Sequence, residues 1–164
     1  MSFEDSVLSD SPHHFFAQLV GGWSGISRLW LEPDGIPTEF QTQGSVQLVL
    51  GGRFAIYLYQ SVIEGEPQHG MFIFGYNTNL DQFETSWLDS FHNYTAIMFC
   101  VGSAIENGFR VLGSYPDPTG GPDWGWRTEV QLLDADHLVI TAYNISPEGD
   151  EAKATESQLR RLKK

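Results

Sequence analysis

Apolar residues, many of them β-branched or aromatic, gather in short segments that polar, Gly-containing and Pro-containing stretches separate at fairly even intervals. This pattern is typical of strands joined by turns. It predicts ten strands, over residues 22–32, 37–50, 53–64, 68–77, 82–90, 93–103, 108–115, 125–133, 137–146 and 151–162. Most of the separators are short enough to be hairpins, so the strands are expected to pair antiparallel in chain order.

A meander of this length would expose two strand edges, and closing it into a barrel removes them. The sequence therefore predicts an all-β, antiparallel up-and-down β-barrel of about ten strands with a short N-terminal helix. Ser11 can cap that helix, Pro12 suits its first position, and Gly21 and Gly22 end it. One domain is expected over residues 1–164, with residues 1–10 flexible.

The first predicted strand begins with Gly21-Gly22-Trp23, which resembles the Gly-x-Trp motif of the calycins, the superfamily of lipocalins and fatty-acid-binding proteins. In that superfamily a basic residue near the chain end often covers the tryptophan. The resemblance implies a lipocalin-like barrel, and it assigns the covering role to Arg160 or Arg161 through a cation on the indole face.

A longer series of motifs resembles domain-of-unknown-function family 1579. The motifs are Val49-Leu50-Gly51-Gly52-Arg53-Phe54, Gly65-Glu66-Pro67, Gly75-Tyr76-Asn77, Ser86-Trp87-Leu88-Asp89-Ser90 and Asp134-Ala135-Asp136-His137, followed by a final strand with arginine. This resemblance implies the same barrel and no known activity. The sequence is more distantly similar to nitrobindins, which are haem-binding barrels, but its last strand lacks their axial histidine.

Composition and charge exclude several kinds of partner. The chain has 164 residues, 41% of them hydrophobic, and its single cysteine, Cys100, permits no internal disulfide. The formal net charge of −12 disfavours nucleic acid and anionic membrane surfaces. An acidic start and the lack of a long apolar run predict a cytoplasmic protein without a transmembrane helix. The sequence does not decide whether the chain forms a homodimer.

The leading functional hypothesis is a module that binds a small apolar or amphipathic molecule inside the barrel. Tyr57 and Tyr59 share one face of their strand, and Trp87 and Asp89 share one face of another. An aromatic interior suits a flat apolar guest. The candidate ligand-binding residues are Tyr57, Tyr59, His69, Trp87, Asp89, Arg127, Glu129 and Glu156.

The direction in which Arg127 and Glu129 point is open at this stage, because they share a face with each other but alternate with apolar residues. If they point inward they converge with Tyr57, Tyr59 and Glu156, and Arg127 would meet an anionic end of the ligand. If they point outward they form an ordinary solvent-exposed pair.

Two alternatives assign chemistry to the barrel. One is haem binding through a histidine such as His69, and the other is an enzyme that uses Glu129, Asp89 or His69 as its base. No metal site is predicted, because no two histidines lie at ligand spacing in one strand. No cofactor and no catalytic residue are predicted either. His13 and His14 are expected to be exposed, and His92 is expected to lie in a tight turn.

Overall fold

The computed structural model describes residues 1–163 and contains two short helices followed by ten strands. Their bounds are α1 (Phe3–Ser6), α2 (Pro12–Leu19), β1 (Gly21–Leu29), β2 (Thr38–Val49), β3 (Phe54–Ile63), β4 (Glu66–Asn77), β5 (Gln82–Asp89), β6 (Met98–Ile105), β7 (Gly108–Tyr115), β8 (Trp124–Asp134), β9 (His137–Ile145) and β10 (Glu151–Arg161). Each strand pairs antiparallel with the next, and β1 also pairs with β10. The predicted closed up-and-down barrel is therefore confirmed.

The two ends of the barrel differ in the length of their connections. At the end where β1 starts, the strands are joined by residues 50–53, 78–81, 106–107 and 135–136. At the opposite end, they are joined by residues 30–37, 64–65, 90–97, 116–123 and 146–150. We call the first the helix end, because α2 packs there, and the second the loop end.

The helix end is filled by aromatic side chains. Phe16 of α2 is fully buried, and its ring centroid lies 6.4, 6.0 and 6.1 Å from those of Phe74, Phe83 and Phe109. Phe83 stacks on Phe109 at 4.5 Å. The helix predicted from Ser11 onward thus closes this end of the barrel with its apolar face.

Toward the loop end the inward positions carry smaller and more polar side chains. The inward residues here include Ser27, Thr42, Ser61 and Thr128, all less than 10% exposed. Side chains this short do not reach the opposite wall of a ten-stranded barrel, so space remains in its middle. This half of the barrel is hollow.

Two segments differ from the sequence expectation. The sixth strand was predicted to begin at residue 93 but begins at Met98, because Asp89 binds the backbone N–H groups of Phe91 and Asn93 and holds the chain in turns. The first ten residues include the helical turn α1, which the sequence did not predict. Ser2 and Asp5 cap α1 reciprocally.

Candidate functional site

The cavity at the loop end is the candidate site. Its volume is ≈ 70 Å³, measured over the positions that the centre of a water-sized sphere can occupy. This is several times the space needed for one water molecule. Eight of the ten strands line the cavity, namely β1, β2, β3, β4, β5, β8, β9 and β10, together with the connection of residues 90–97.

One wall of the cavity consists of aromatic rings. Tyr57 stacks on Tyr59 with centroids 5.2 Å apart, and Phe72 stacks on Trp87 at 5.6 Å with planes only 6° apart. Trp87 in turn stacks on Trp126 at 5.2 Å. These rings from β3, β4, β5 and β8 form a continuous apolar surface that matches a flat molecule.

Two glycines make room for the tyrosine rings of this wall. A Cβ atom on Gly70 would lie 2.0 Å from Cζ of Tyr59, and one on Gly44 would lie 2.5 Å from Cε2 of Tyr57. Gly70 and Gly44 are also the cross-strand partners of Tyr59. Any larger residue at these two positions would force the rings out of place.

The opposite wall is lined by hydroxyl groups. Oγ of Ser27 lies 2.7 Å from Oγ of Ser157 and 2.7 Å from Oγ1 of Thr42, which is 2.8 Å from Oγ of Ser61. These four residues lie on four adjacent strands, β10, β1, β2 and β3. Four hydroxyl protons serve three mutual hydrogen bonds, so one proton remains at an end of this hydroxyl chain for a ligand or water.

Asp89 anchors the loop that lies over the cavity. Its Oδ1 accepts hydrogen bonds from the backbone N–H of Phe91 at 3.0 Å, of Asn93 at 3.3 Å and of His92. Its Oδ2 accepts from the Tyr59 hydroxyl and from Nδ1 of His92, both at 3.3 Å. With five donors around two oxygens, the carboxylate is saturated by the protein itself.

The charge of the cavity follows from these contacts. Burial opposes ionisation of Asp89, but its hydrogen bonds and charge interaction with His92 outweigh burial and hold the pKa of the carboxyl below its ordinary value. Burial raises the pKa of Tyr57, and burial together with the Asp89 charge raises that of Tyr59 well above 10.0. The site therefore holds one carboxylate and neutral tyrosines at neutral pH.

His92 is a site residue that the sequence analysis missed. Because the Asp89 carboxylate only accepts, Nδ1 of His92 carries a proton, and Nε2 has no hydrogen-bond partner among residues 1–163. The ring packs against Trp87 at 5.3 Å and Trp126 at 5.5 Å. The available signal was the Asp-x-x-His spacing directly after a strand, where an aspartate commonly caps a turn.

The structure brings together four of the eight predicted ligand-binding residues. Tyr57, Tyr59, Trp87 and Asp89 all line the cavity. His69 is exposed on the outside of β4, beside Gln60 on β3. It does not line the cavity.

Of the two alternatives for Arg127 and Glu129, the inward one, in which they converge with Glu156 inside the barrel, is wrong. Trp126 and Thr128 line the cavity, so the alternation of β8 directs Arg127 and Glu129 outward. There Nε of Arg127 lies 3.3 Å from Oε1 of Glu129, and the guanidinium covers the Tyr143 ring at 4.3 Å.

Glu156 also lies on the outer face. Its carboxylate binds Lys153 at 2.7 Å and Arg28 at 3.4 Å. Arg28 in turn binds Glu39 at 3.0 Å. These ion pairs link β1, β2 and β10 across the outside of the barrel, and among residues 1–163 no arginine lines the cavity.

The sequence analysis also predicted no metal site and no transmembrane helix. Within residues 1–163, no cluster of three or more His, Cys, Asp or Glu side chains has the geometry to hold a metal ion. Neither of the two described helices has the length and apolar character to cross a membrane.

Comparison with known proteins identifies a family and a similar fold. The family model described as "Protein of unknown function (DUF1579)" matches residues 9–161. Among solved structures, the crystal structure of Rv2717c from M. tuberculosis is similar, with a TM-score of 0.59 and 16% sequence identity over 93% of this chain and 99% of that one. This similarity is one of fold. No curated protein matches the sequence.

Proposed function

Because the chain belongs to the DUF1579 family, whose description assigns no function, we propose a function from the cavity itself. The barrel binds one small, flat, neutral molecule that is largely apolar and carries polar groups at its edge. The observation that carries this proposal is the pairing of an aromatic wall with a hydroxyl wall across one cavity.

The two walls impose different requirements on the ligand. The stacked rings of Phe72, Trp87 and Trp126 offer apolar faces and no free acceptor. The hydroxyl chain from Ser157 to Ser61 can donate or accept, because its hydroxyl groups can reverse direction together. A flat ring system with an oxygen or nitrogen at its edge satisfies both walls.

Charge selects against an anionic ligand. The cavity contains the Asp89 carboxylate, and the whole chain carries a formal net charge of −12. Arg127, which was expected to meet an anionic end, lies outside the barrel. A buried anion would therefore lack a fixed cationic partner, and its desolvation would remain uncompensated.

The haem and enzyme alternatives lose part of their support. His69, on which the haem alternative depended, is exposed, and Glu129 lies on the outer face. Asp89 is engaged by five donors and is better suited to holding His92 than to accepting a proton from a substrate. Ligand binding remains the function that the contacts support best.

The test uses 2-methoxynaphthalene as a neutral flat probe, titrated into the protein by calorimetry. We expect saturable binding at one site, weakened at least about tenfold in Ala142→Leu, because Ala142 lines the cavity and a larger side chain fills it. Ala104→Leu is the matched control, since Ala104 is exposed on β6. An unchanged affinity in Ala142→Leu, or no saturable binding to the wild type, would refute the proposal.

A charged probe tests the neutrality of the ligand. Naphthalene-2-carboxylate has the same ring system as 2-methoxynaphthalene but carries a negative charge. We expect it to bind at least about tenfold more weakly at neutral pH. Tighter binding of the carboxylate would contradict the charge argument and would point to a cationic contact.

A further inference from the structure

His92 presents an acceptor at the edge of the cavity. Its Nδ1 proton is committed to Asp89, so in the neutral ring Nε2 carries a free lone pair. The side chain is 24% exposed, while the Asp89 side chain beneath it is 7% exposed. A buried carboxylate thus fixes both the tautomer and the orientation of a partly accessible imidazole.

Trp126 supplies a donor beside this acceptor. The residue is 6% exposed, lines the cavity, and its ring centroid lies 5.5 Å from that of His92. Its Nε1–H is buried and has no hydrogen-bond partner within the described chain. An unpaired buried indole N–H is costly, and a ligand oxygen that accepts from it would recover the lost hydrogen bond.

We propose that His92 and Trp126 form a hydroxyl-recognition pair, so that the ligand of this barrel is a flat hydroxylated aromatic molecule of the phenol class. The ligand O–H donates to Nε2 of His92, and its oxygen accepts from Nε1–H of Trp126. This inference rests on the proposed function, because it assigns the polar edge of the same flat ligand.

The chemistry of the pair distinguishes a hydroxyl from other polar groups. A carbonyl or ether oxygen can accept from Trp126 but leaves the lone pair of His92 unmatched. An ammonium group can donate to His92 but leaves the indole N–H of Trp126 unpaired. A neutral hydroxyl is both donor and acceptor through one atom, as the two protein groups require.

The charge beside the pair comes from Asp89. The other titratable side chains that line the cavity are Tyr57 and Tyr59 from β3 and His92 from the connecting loop. At neutral pH the tyrosines are protonated and Asp89 is ionised, because their pKa values are raised and lowered respectively. This negative charge favours a neutral hydroxyl over an anionic oxygen at the pair.

The experiment compares 2-naphthol with 2-methoxynaphthalene, which has the same ring and an acceptor oxygen but no O–H. At pH 7.5 we expect 2-naphthol to bind about tenfold more tightly than the methyl ether, as one additional hydrogen bond predicts. This preference should fall below about threefold in His92→Phe. The control His69→Phe replaces an exposed histidine and should keep the preference.

The outcomes separate this inference from the proposed function. Binding of 2-methoxynaphthalene by His92→Phe verifies that the variant keeps a folded cavity. Equal binding of both probes by the wild type, or a preference that persists in His92→Phe, overturns the hydroxyl-recognition pair and leaves the proposed function standing. Failure of both probes to bind the wild type rejects the proposed function and this inference with it.

Discussion

Trp23 shows how far one residue could be interpreted from its local sequence. The side chain is fully buried, its Nε1–H donates to the Leu19 carbonyl at 2.8 Å, and the Arg161 guanidinium lies 4.3 Å above its ring. The covering arginine that the calycin resemblance implied is thus Arg161. The same guanidinium also binds the carbonyls of Val20 and Gln18, so it ties the last strand to the segment after α2.

Replacing Trp23 should be severely destabilising. Trp23→Ala removes a fully buried indole and its hydrogen bond, and we expect a loss of about 3 to 5 kcal/mol in the free energy of unfolding. Urea melts measure this loss. Trp30→Ala is the control, because Trp30 is only half-buried and should cost clearly less. A loss under about 1 kcal/mol for Trp23→Ala would contradict a structural role for this buried residue.

At the scale of elements, His13 joins the N-terminal helices to the barrel, contrary to its expected exposure. It is 4% exposed, and its Nε2 donates to the Arg53 carbonyl at 3.0 Å while Nδ1 lies 2.6 Å from Oγ of Ser6. Burial lowers the pKa of His13. The hydrogen bond to the Arg53 carbonyl raises it by less, so the pKa lies below its ordinary value. The folded protein therefore resists protonation at a site that the unfolded chain protonates readily.

This difference predicts a loss of stability toward acid. As pH falls below about 6.5, the unfolded chain binds a proton that folded His13 does not, so the free energy of unfolding decreases. We expect urea midpoints to fall between pH 7.5 and 5.5, and to fall less in His13→Gln. His14→Gln, the adjacent histidine on α2, should retain the wild-type decrease. The same decrease in His13→Gln would exclude His13 as its source.

The outer face of β8 carries ion pairs of Arg127 that are partly exposed to solvent. Arg127 binds Glu151 at 2.6 Å as well as Glu129, and both partners are in contact with solvent. Partly exposed ion pairs contribute little, because the charges are already hydrated and screened. The register of the strand, and not the charge of its residues, decides their energetic value.

Arg127→Leu should accordingly cost about 1 kcal/mol or less, and the double variant with Glu129→Leu should be close to the single one. An inward pair would cost about 3 to 5 kcal/mol when one partner is removed. Denaturant melts near neutral pH provide the measurement. Val130→Ala, a fully buried position of the same strand, should cost more than Arg127→Leu. The reverse order would contradict the outward assignment.

At the scale of the whole molecule, one half of the barrel is filled and the other is hollow. The filled half is closed by Phe16 of α2 and its aromatic neighbours. The hollow half contains a cavity of ≈ 70 Å³ under the loop of residues 90–97. A plug at one end and a cavity at the other make ligand entry possible only from the loop end.

The size of this cavity argues against tight haem binding. A tetrapyrrole could be enclosed only if the strands moved apart, and ladder hydrogen bonds would be lost. Titration with haemin should therefore give no stoichiometric complex with a sharp Soret band. His92→Ala is the informative variant, since His92 is the histidine in the cavity lining. A sharp band in the wild type that disappears in His92→Ala would refute this prediction and support the nitrobindin resemblance.

The strands and their order were predictable because turn residues and β-branched segments act locally. Nine of the ten strands start within two residues of their predicted positions, and the exception, β6, was delayed by turns that the Asp89 side chain stabilises. The Asp89 carboxylate accepts hydrogen bonds from three successive backbone N–H groups, and this contact forms only when the loop folds. No periodicity in the sequence reports it.

The direction of each face was decided only by the tertiary structure. On β4 the alternating faces are both apolar, with Phe72 and Phe74 inside and Met71 and Ile73 outside, so the pattern alone could not assign them. Closure of the sheet around Phe16 fixed the inward set, and a strand period of two then placed Arg127 outside. The sequence by itself determined the barrel and the aromatic half of its site, whereas closure and one loop decided that His92 completes it.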